Sequence, residues 1–278
     1  MSKMEEPKDV LTLEEASRLF QVSTKTFLKL LREEEIPARK VGREWRFSRI
    51  ALLNWMESGN SRDYASAEAE NKAYFAQVAP VYNEIRKDCY GDSLRDIILS
   101  QYTPPPGSEV ADIGTGTGYL ALGLAKYAAK VRAIDSSAAM LAVAGDDLAK
   151  AGLHNVELIE GDAHDLPVAD AALDIVYANL LLHHLLEPGL AIKEMFRVLK
   201  PGGRVIITDI NQHSHGWVKA EKFDLWLGFE REEIRQWFQE AGFLKITIAD
   251  LGCNCRTSSR AGKTVDIPMF LAAGTKPV

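Results

Sequence analysis

Three glycines, each two residues from the next, follow a short apolar run and are the residues best suited to cradle a ligand. The run Val110–Ile113 contains one acid, Asp112, and leads directly into Gly114, Gly116 and Gly118. Glycine tolerates positive φ angles, and without a Cβ its backbone can approach a ligand closely. We therefore expect a strand, a tight turn and a helix start that bind a nucleotide-like molecule. The spacing differs from the Gly-x-Gly-x-x-Gly of dinucleotide folds, which disfavours NAD.

Two later apolar runs also end in acids, as parallel strands do when their carboxyl ends line a binding crevice. The first ends at Asp135, about 20 residues after Gly114, where a carboxylate can accept hydrogen bonds from both hydroxyls of a ribose. The second ends in Gly161 and Asp162, where a carboxylate or a backbone group can meet the edge of an adenine. These positions predict a ligand that contains adenosine.

With these acids and glycines in one order, the sequence resembles the class I S-adenosylmethionine-dependent methyltransferases, among them those of ubiquinone biosynthesis and, more distantly, the arsenite methyltransferases. A further match is Leu199–Val205, the lead into the family's fifth strand, and the resemblance covers about residues 72–275. It implies an α/β Rossmann-like fold, with a seven-stranded, doubly wound sheet whose last strand is antiparallel. It also implies S-adenosylmethionine as the cofactor and an in-line methyl transfer that needs no metal ion.

The resemblance places the cofactor contacts at the ends of the strands and in a helical segment that precedes the glycine loop. Asp135 is expected to hold the ribose, with Ser136 and Met140 beside the adenine. The alternative for each residue is a structural role as a turn, cap or core residue. The expected cofactor-binding residues are Tyr74, Tyr82, Asp112, Gly114, Thr115, Gly116, Gly118, Asp135, Ser136, Met140, Gly161, Asp162, Ala163 and Asn179.

Two pairs of histidines are candidates for catalysis. His183 and His184 follow the predicted fourth strand, where a histidine can act as the general base that deprotonates an acceptor. The alternative is that one of them only forms local hydrogen bonds and orders the loop. His213 and His215, after the fifth strand, are comparable candidates. The aromatic residues between 217 and 229 form either a wall of the acceptor pocket or a packed helix face.

The three cysteines, Cys89, Cys253 and Cys255, are too few for a disulfide framework. We therefore expect free thiols in a reducing cytoplasm. Cys253 and Cys255 are close enough in sequence to suggest a soft metal or metalloid, but two ligands do not complete a zinc site. No metal ion is therefore expected.

Residues 9–57 have the pattern of a small separate unit. Thr12 and Glu15 form a capping box ahead of one helix, and Ser23 caps a second helix after a tight turn. A short hairpin over 39–47 and a third helix follow. This order is typical of a winged helix-turn-helix domain.

The motifs Leu11–Ala16, Ile36–Ala38 and Val41–Phe47 make this unit similar to the excisionase and MerR-like winged helix-turn-helix domains. Residues 23–49 contain eight Lys or Arg and four Glu. We therefore expect phosphate contacts to DNA from the second helix and the wing, the alternative being a protein–protein module with a solvated basic face. The expected DNA-binding residues are Ser23, Lys25, Thr26, Lys29, Arg43, Trp45 and Arg46.

The small, polar stretch that begins residues 58–71 predicts a flexible linker to an enzyme domain over 72–278. The final two strands have no helix between them and are expected to pair antiparallel, with Pro268 marking a bulge or a late strand start. Strands are expected near 109–113, 131–134, 156–160, 173–177, 203–209, 244–250 and 266–272. A mostly helical segment is expected over residues 65–86, and further helices are expected near 119–129, 137–151, 188–199 and 230–241.

The composition is that of an ordinary globular protein, with 46% hydrophobic and 26% charged residues and a net charge of −6. No apolar run approaches the roughly 20 residues of a membrane span, and the first residues lack a signal-peptide core, so we expect a cytoplasmic protein without membrane contact. A single winged unit covers one half-site on DNA, which favours a homodimer.

We interpret the chain as a methyltransferase for a small-molecule acceptor that also binds DNA. One alternative is a transcriptional regulator that uses the methyltransferase fold to sense its cofactor or an effector. Another is a DNA methyltransferase, which is disfavoured because Asn179–Leu182 occupies the position of the Asn/Asp-Pro-Pro-Tyr/Phe motif of those enzymes.

Overall fold

The structure, a computed structural model, describes residues 8–33, 36–42, 44–58 and 61–278, apart from the side chains of 29, 32, 33, 57, 58 and 61–68. By their internal contacts the residues divide into two compact units, Met1–Tyr64 and Ala65–Val278. Each unit is described by itself.

The smaller unit has three helices and a three-stranded antiparallel sheet. Its sheet has the order β1-β3-β2, so that β2 and β3 form the expected hairpin. The buried side chains of Phe27, Phe47 and Leu52 form its core. The elements are β1 (Val10–Leu11), α1 (Leu13–Leu19), α2 (Thr24–Glu33), β2 (Arg39–Val41), β3 (Glu44–Ser48) and α3 (Arg49–Ser58).

Side-chain caps begin these helices where the sequence predicts them. Thr12 and Glu15 form both bonds of the capping box of α1. The hydroxyl of Ser23 accepts a hydrogen bond from the backbone N–H of Thr26 at 3.0 Å, at the start of α2. Each cap satisfies a backbone donor that the helix itself leaves without a partner.

The segment predicted as a flexible linker is helical from Ser61, because it belongs to α4 (Ser61–Val78). Beyond its small, polar beginning the segment is rich in Ala, Glu and Lys, which have high intrinsic helix propensity. The prediction of a flexible linker was therefore wrong for residues 61–63, whereas the expectation of a mostly helical segment over residues 65–86 is confirmed. The domain boundary between residues 57 and 72 stays a prediction.

The larger unit continues with short helices and then alternates strands with helices. After a 3₁₀ turn at Ala79–Val81 come α5 (Tyr82–Tyr90) and α6 (Ser93–Gln101). The alternating part consists of β4 (Glu109–Ile113), α7 (Ala121–Leu124), β5 (Lys130–Asp135), α8 (Ala138–Lys150), β6 (Val156–Glu160), β7 (Leu173–Asn179), α9 (Pro188–Val198), β8 (Leu199–Ile210), α10 (Trp217–Lys222), α11 (Arg231–Ala241), β9 (Leu244–Ser258) and β10 (Thr264–Thr275).

The seven strands of this unit form one sheet with the order β6-β5-β4-β7-β8-β10-β9. Strands β4 to β8 are parallel to one another, while β10 pairs antiparallel with both β8 and β9. The predicted fold class, a Rossmann-like sheet with an antiparallel last strand, is confirmed. The register of β10 shifts between Pro268 and Phe270, as expected for a proline that cannot donate to the ladder.

The sheet order reverses next to β4, because β5 and β6 lie on one side of it and β7 and β8 lie on the other. In open α/β sheets, a ligand-binding crevice opens at the carboxyl ends of the strands at this point. Apolar clusters pack on the two faces of the sheet, with Ile113 and Phe270 in one cluster and Val110 and Tyr177 in the other. The chain therefore places the glycine loop after β4 at the crevice.

The helix expected over 119–129 is much shorter than predicted, because α7 includes only Ala121–Leu124. Beyond it the backbone forms hydrogen bonds between residues three apart in sequence, such as that from the N–H of Tyr127 to the carbonyl of Leu124 at 3.0 Å. Such bonds tighten the chain into turns and end the α-helix. The apolar periodicity of this stretch shows that it is buried, but it does not predict how long the helix is.

Among the residues that the structure describes, none of the helices combines the length and the apolar character that a membrane span requires.

Candidate functional site

The glycine loop after β4 is held from behind by the carboxylate of Asp112. Its Oδ2 accepts hydrogen bonds from the hydroxyl of Thr115 at 2.7 Å and from the backbone N–H of Ala121 at 3.1 Å. The backbone N–H of Gly114 donates to the carbonyl of Ile134, at 2.8 Å, and so ties the loop to β5. Asp112 is 1% exposed, and burial raises its pKa to about 7. Its contacts identify it as the residue that shapes the loop.

The three glycines of the loop have φ angles that other residues rarely adopt. The values are +67° at Gly114, +54° at Gly116 and +81° at Gly118. A Cβ on Gly114 would lie 2.6 Å from Cδ1 of Leu181, which is closer than atoms pack. The backbone conformation therefore favours glycine at this position, and any side chain there would have to displace Leu181.

Asp135, at the end of β5, faces the loop from the neighbouring strand. One carboxylate oxygen accepts a hydrogen bond from the N–H of Gly116 at 2.8 Å, and the other accepts one from the N–H of Ser137 at 2.9 Å. Burial raises the pKa of this carboxyl, and the two backbone bonds and the charge of Lys72 oppose that shift. The carboxylate is thus fixed in direction, as recognition of a ribose requires.

A cavity of about 500 Å³ opens at this edge of the sheet. Most of the expected cofactor-binding residues line it, and Tyr74 and Gly118 are the two that do not. The expected residues that line it are Tyr82, Asp112, Gly114, Thr115, Gly116, Asp135, Ser136, Met140, Gly161, Asp162, Ala163 and Asn179.

The two expected residues outside this cavity have other neighbours. The ring of Tyr74 stacks on Phe223 with 4.6 Å between centroids and borders a second cavity. At Gly118 a Cβ would lie 3.2 Å from Cβ of Ala144, so this glycine allows the loop to pack closely against α8. Their residue types predict proximity to the site without showing which cavity they face.

The second cavity, of about 470 Å³, adjoins the first. Both cavities share lining residues from α5, from the segment before it and from the loop after β7. The shared residues are Phe75, Tyr82, Arg86, Tyr90, Leu180 and His184. A molecule in the second cavity therefore lies next to a molecule in the first, as a two-substrate reaction requires.

His183 is buried between two carboxylates. Its Nδ1 lies 2.7 Å from Oδ1 of Asp209, and its Nε2 lies 4.0 Å from Oδ1 of Asp224. Burial alone lowers the pKa of this histidine, but the charges of Asp209 and Asp224 outweigh it and raise the pKa to about 9. His183 thus carries a proton at neutral pH. In this state it is not suited to take a second proton from the molecule that is methylated.

His184 lines both cavities and differs from its neighbour in charge. Its Nδ1 lies 3.2 Å from Nδ2 of Asn71 and 3.8 Å from Oδ1 of Asp224. Its ring meets the ring of Phe75 edge to face, with 4.8 Å between centroids. Burial and the charge of His183 hold the pKa of His184 well below its usual value. His184 is therefore neutral and accessible from the cavities.

The second pair of histidines lies away from both cavities. His213 and His215 stack with 5.3 Å between ring centroids, and neither lines the cavities described above. Burial and then the charge of His215 lower the pKa of His213 to about 4. The aromatic patch is also mainly structural, since Trp226 and Phe229 pack against the core of the sheet.

The expectation of free thiols is wrong, because Cys89 and Cys255 form a disulfide with 4.8 Å between their Cα atoms. It joins α5 to β9, two elements that pack together, and both cysteines border the second cavity. Cys253 is the one free cysteine among the residues described. The pair Cys253 and Cys255 is therefore not available as two free thiolates in this structure.

Three charged residues were not expected from the sequence: two that line the cavities and one that contacts His183. Arg86 is 6% exposed, and its Nε has no hydrogen-bond partner among the described residues. Asp209 ends β8 at the same edge of the sheet as the other strand-end acids, and this position could have indicated it. Asp224 lies in an irregular segment after α10, and its sequence neighbours contain no comparable signal.

The smaller unit presents several of the expected DNA-binding residues on its surface. Lys25 and Thr26 are exposed in the first turn of α2. Arg46 in β3 pairs with Glu44 and donates to the carbonyl of Trp45 at 3.0 Å. Ser23 acts as the cap of α2. The side chain of Lys29 and all of Arg43 lie outside the described residues.

Two family models match this chain. Residues 111–207, from the glycine loop to β8, match the model described as "Methyltransferase domain". This part of the chain is therefore similar to a methyltransferase domain. Residues 10–60 match the model described as "Helix-turn-helix domain". The resemblance to methyltransferases is therefore confirmed for the domain that contains the glycine loop, and the helix-turn-helix assignment is confirmed for the smaller unit.

Relatives of the methyltransferase domain include quinone-modifying enzymes. The chain is 34% identical to 2-methyl-6-phytyl-1,4-hydroquinone methyltransferase 1 of Oryza sativa subsp. japonica over 52% of this chain and 44% of that protein. It is 32% identical to demethylmenaquinone methyltransferase of Clavibacter sepedonicus over 54% of this chain and 61% of that protein. The chain thus spans about half the length of these curated relatives.

Among solved structures, the [4+2]-cyclase SpnF has a TM-score of 0.62 at 24% identity, covering 76% of this chain and 96% of that one. This likeness concerns the fold alone. A protein whose title names a cyclase shares the architecture, so the reaction of the present chain has to be argued from its own site.

Proposed function

We propose that the larger unit is an S-adenosylmethionine-dependent methyltransferase that acts on a small molecule. The observation that carries this proposal is the pair of adjoining cavities, one lined by the glycine loop and Asp135 and the other sharing six of its lining residues. The first cavity suits an adenosyl cofactor, because Asp135 faces it and the backbone of the glycine loop leaves room beside it. The second suits an acceptor next to the cofactor's methyl group.

Each part of the cofactor finds a suitable partner in the first cavity. Asp135 accepts hydrogen bonds from the ribose hydroxyls, and Ser136, Met140 and Asp162 surround the adenine. Arg86 pairs with Asp92 through Nη2 at 3.0 Å, but its buried Nε lacks a partner among the described residues and suits the carboxylate of the methionine part. No residue is needed to activate the methyl group, because the positively charged sulfur already leaves readily as a neutral thioether.

His183, His184 and Asp224 lie in the wall of the second cavity, where they are positioned to assist loss of the acceptor's proton. The aromatic side chains of Phe75 and Tyr82 in the wall of this cavity suit a ring-containing acceptor. The names of the relatives, hydroquinone and demethylmenaquinone methyltransferases, support the same class of molecule.

Binding of the cofactor tests this proposal directly. Calorimetry of the full chain is expected to show one site for S-adenosylhomocysteine and none for NAD or NADP. Methyl transfer from labelled S-adenosylmethionine to reduced demethylmenaquinone then tests the acceptor class. A chain that binds NAD in preference to S-adenosylhomocysteine would contradict the proposal.

We also propose that the smaller unit binds DNA, as its helix-turn-helix match and its basic surface suggest. Lys25 and Thr26 at the start of α2 would contact the phosphates, as would Arg39 and Lys40 in the exposed strand β2. Two copies of the chain would place two such units on adjacent half-sites.

Salt dependence of binding to a mixed-sequence duplex tests this second role. The logarithm of the affinity is expected to fall linearly with the logarithm of the salt concentration, and Lys25→Ala is expected to reduce the slope by about 1. Affinity that does not depend on salt would contradict phosphate binding. Sedimentation of the complex separates a homodimer on DNA from a monomer.

A further inference from the structure

Three side chains in the wall of the second cavity each place a nitrogen or oxygen atom close to the same point. The Nε2 of His183 and the Nδ1 of His184 lie 4.0 Å and 3.8 Å from Oδ1 of Asp224. All three atoms lie within 4.8 Å of one another, which is the arrangement of donors around a metal ion. The three side chains are 7%, 15% and 7% exposed, so this is not a chance meeting of surface groups.

Asp224 lacks the hydrogen bonds that a buried carboxylate normally makes. Among the described residues no hydrogen bond reaches it, and the histidine nitrogens lie 4.0 Å and 3.8 Å from its Oδ1. A buried carboxylate without such partners is costly unless a cation neutralises it. In the metal-free chain the proton on His183 supplies this positive charge, and a bound metal ion would take its place by releasing that proton from Nε2.

The second nitrogen of His183 is held in the way that metal-ligating histidines are usually held. Its Nδ1 lies 2.7 Å from Oδ1 of Asp209, whose other oxygen accepts the N–H of Leu182 at 2.9 Å. A carboxylate on the far nitrogen fixes the orientation of the ring and raises the basicity of the ligating nitrogen. Asp209 thus directs Nε2 of His183 toward Asp224.

We propose that His183, His184 and Asp224 bind a divalent transition-metal ion, such as Zn²⁺ or Mn²⁺, at the wall of the second cavity. Two imidazole nitrogens and one carboxylate oxygen are a donor set that such ions prefer. Metal–ligand bonds of about 2.1 Å place neighbouring ligand atoms about 3.0–3.6 Å apart, so the three side chains have to close around the ion, each histidine nitrogen by less than about 1 Å toward Asp224. The amide of Asn71, 3.2 Å from Nδ1 of His184, then keeps its bond to the carbonyl of Phe223 and releases the histidine.

The ion also gives a chemical role to this cluster, and this step rests on the proposed methyltransferase function. A hydroxyl of the acceptor binds at an open coordination position and loses its proton more easily, because the ion stabilises the oxygen anion. The proton passes to water in the cavity. Electron density from this oxygen then makes the adjacent ring carbon nucleophilic. That carbon forms a bond to the methyl carbon, the carbon–sulfur bond breaks with its electron pair on sulfur, and the attacked ring carbon loses its proton to water.

Metal binding is measured on the full, untagged chain after removal of metal with a chelator. Zn²⁺ titration is expected to show one site per chain, and Co²⁺ is expected to give visible absorption bands of a bound ion. Asp224→Asn and His184→Gln are expected to weaken binding by about tenfold or more. His154→Gln, an exposed histidine away from the cluster, is the matched control and leaves binding unchanged.

Two results would overturn the proposal: a chain without a stoichiometric metal site, or variants that bind as tightly as the original chain. Since Asp224→Asn could affect folding, His184→Gln and the Co²⁺ spectrum of the unaltered chain give independent readouts. S-adenosylhomocysteine binding is measured on the same metal-free protein. Binding of this molecule without a metal site refutes the metal proposal alone, and loss of that binding in the unaltered chain refutes the proposed function.

Discussion

At the scale of single residues, two buried carboxylates at the first cavity have different tasks. One oxygen of Asp112 accepts two hydrogen bonds from within the protein, and Asp112 so supports the glycine loop. Asp135 receives one backbone bond on each oxygen and still lines the cavity. A carboxylate oxygen has more than one acceptor position, so Asp135 can accept bonds from the backbone and from a ribose at once.

Replacing Asp135 by Ala is expected to weaken binding of S-adenosylhomocysteine by about 1–3 kcal/mol, because the ribose hydroxyls lose a charged acceptor. Calorimetry of the variant measures this loss. Asp146→Ala, on the exposed side of α8, is the control that removes a carboxylate outside the site. Unchanged affinity in Asp135→Ala would remove this residue from the proposed cofactor site.

Asp112 makes stability depend on pH. Burial raises its pKa to about 7 from a model-compound value of 3.8, so the folded protein binds a proton that the unfolded chain releases. Its contribution to the free energy of unfolding is therefore largest below pH 4 and decreases as the pH rises to about 7. Since both hydrogen bonds use Oδ2, a proton on Oδ1 leaves them intact.

Denaturant unfolding between pH 5 and pH 8 measures this contribution. The unaltered chain is expected to lose stability over this range relative to Asp112→Asn, whose side chain does not titrate. Parallel curves for the two proteins would show that Asp112 is charged throughout.

At the scale of elements, the loop between β4 and α7 depends on the loop that follows β7. Gly114 has a φ of +67°, and its missing side chain leaves space for Leu181, which lines the first cavity. Gly152 has nearly the same φ, +66°, but no atom lies within 4 Å of the position of its Cβ. A comparison of substitutions at the two glycines therefore separates the effect of backbone strain from that of steric crowding by a neighbouring side chain.

Gly114→Ala and Gly152→Ala are both expected to lose about 1–2 kcal/mol of stability, because each puts a Cβ in a left-handed conformation. Only Gly114→Ala is also expected to weaken binding of S-adenosylhomocysteine, since it displaces Leu181 into the cavity. Thermal unfolding and calorimetry on both variants provide the comparison. Equal cofactor affinities in the two variants would contradict this coupling between the loops.

The elements also show where sequence reasoning succeeds and where it stops. The glycine loop, Asp135 and Gly161–Asp162 were predictable, because each signal lies within a few residues at the end of an apolar strand. The short α7 was not, since burial gives the same apolar pattern to a helix and to a series of turns. The Cys89–Cys255 pair and the approach of Asp224 to His183 depend on how distant segments pack, which no local pattern records.

At the scale of the whole molecule, the proposed reaction and the proposed DNA contact belong to different units. Every described residue that lines the two cavities lies between Ala69 and Ile267, within the larger unit. The proposed phosphate contacts all lie within the smaller unit. An enzyme that needs only the cavities for chemistry has no requirement that DNA change its affinity for the cofactor.

A sensor behaves differently, and thermodynamic linkage separates the two roles. If the cofactor changes the affinity for DNA by some factor, DNA must change the affinity for the cofactor by the same factor. We expect S-adenosylhomocysteine to bind with the same affinity, within about twofold, in the presence and absence of saturating mixed-sequence duplex at low salt, because the cavities are complete within one unit. Calorimetry under both conditions measures this ratio, and Lys25→Ala serves as the control in which less duplex is bound. Coupling would be established if duplex changed the affinity for S-adenosylhomocysteine by well over twofold, and if this change were smaller in Lys25→Ala at the same duplex concentration. That result would favour the transcriptional sensor over an enzyme that works independently of DNA.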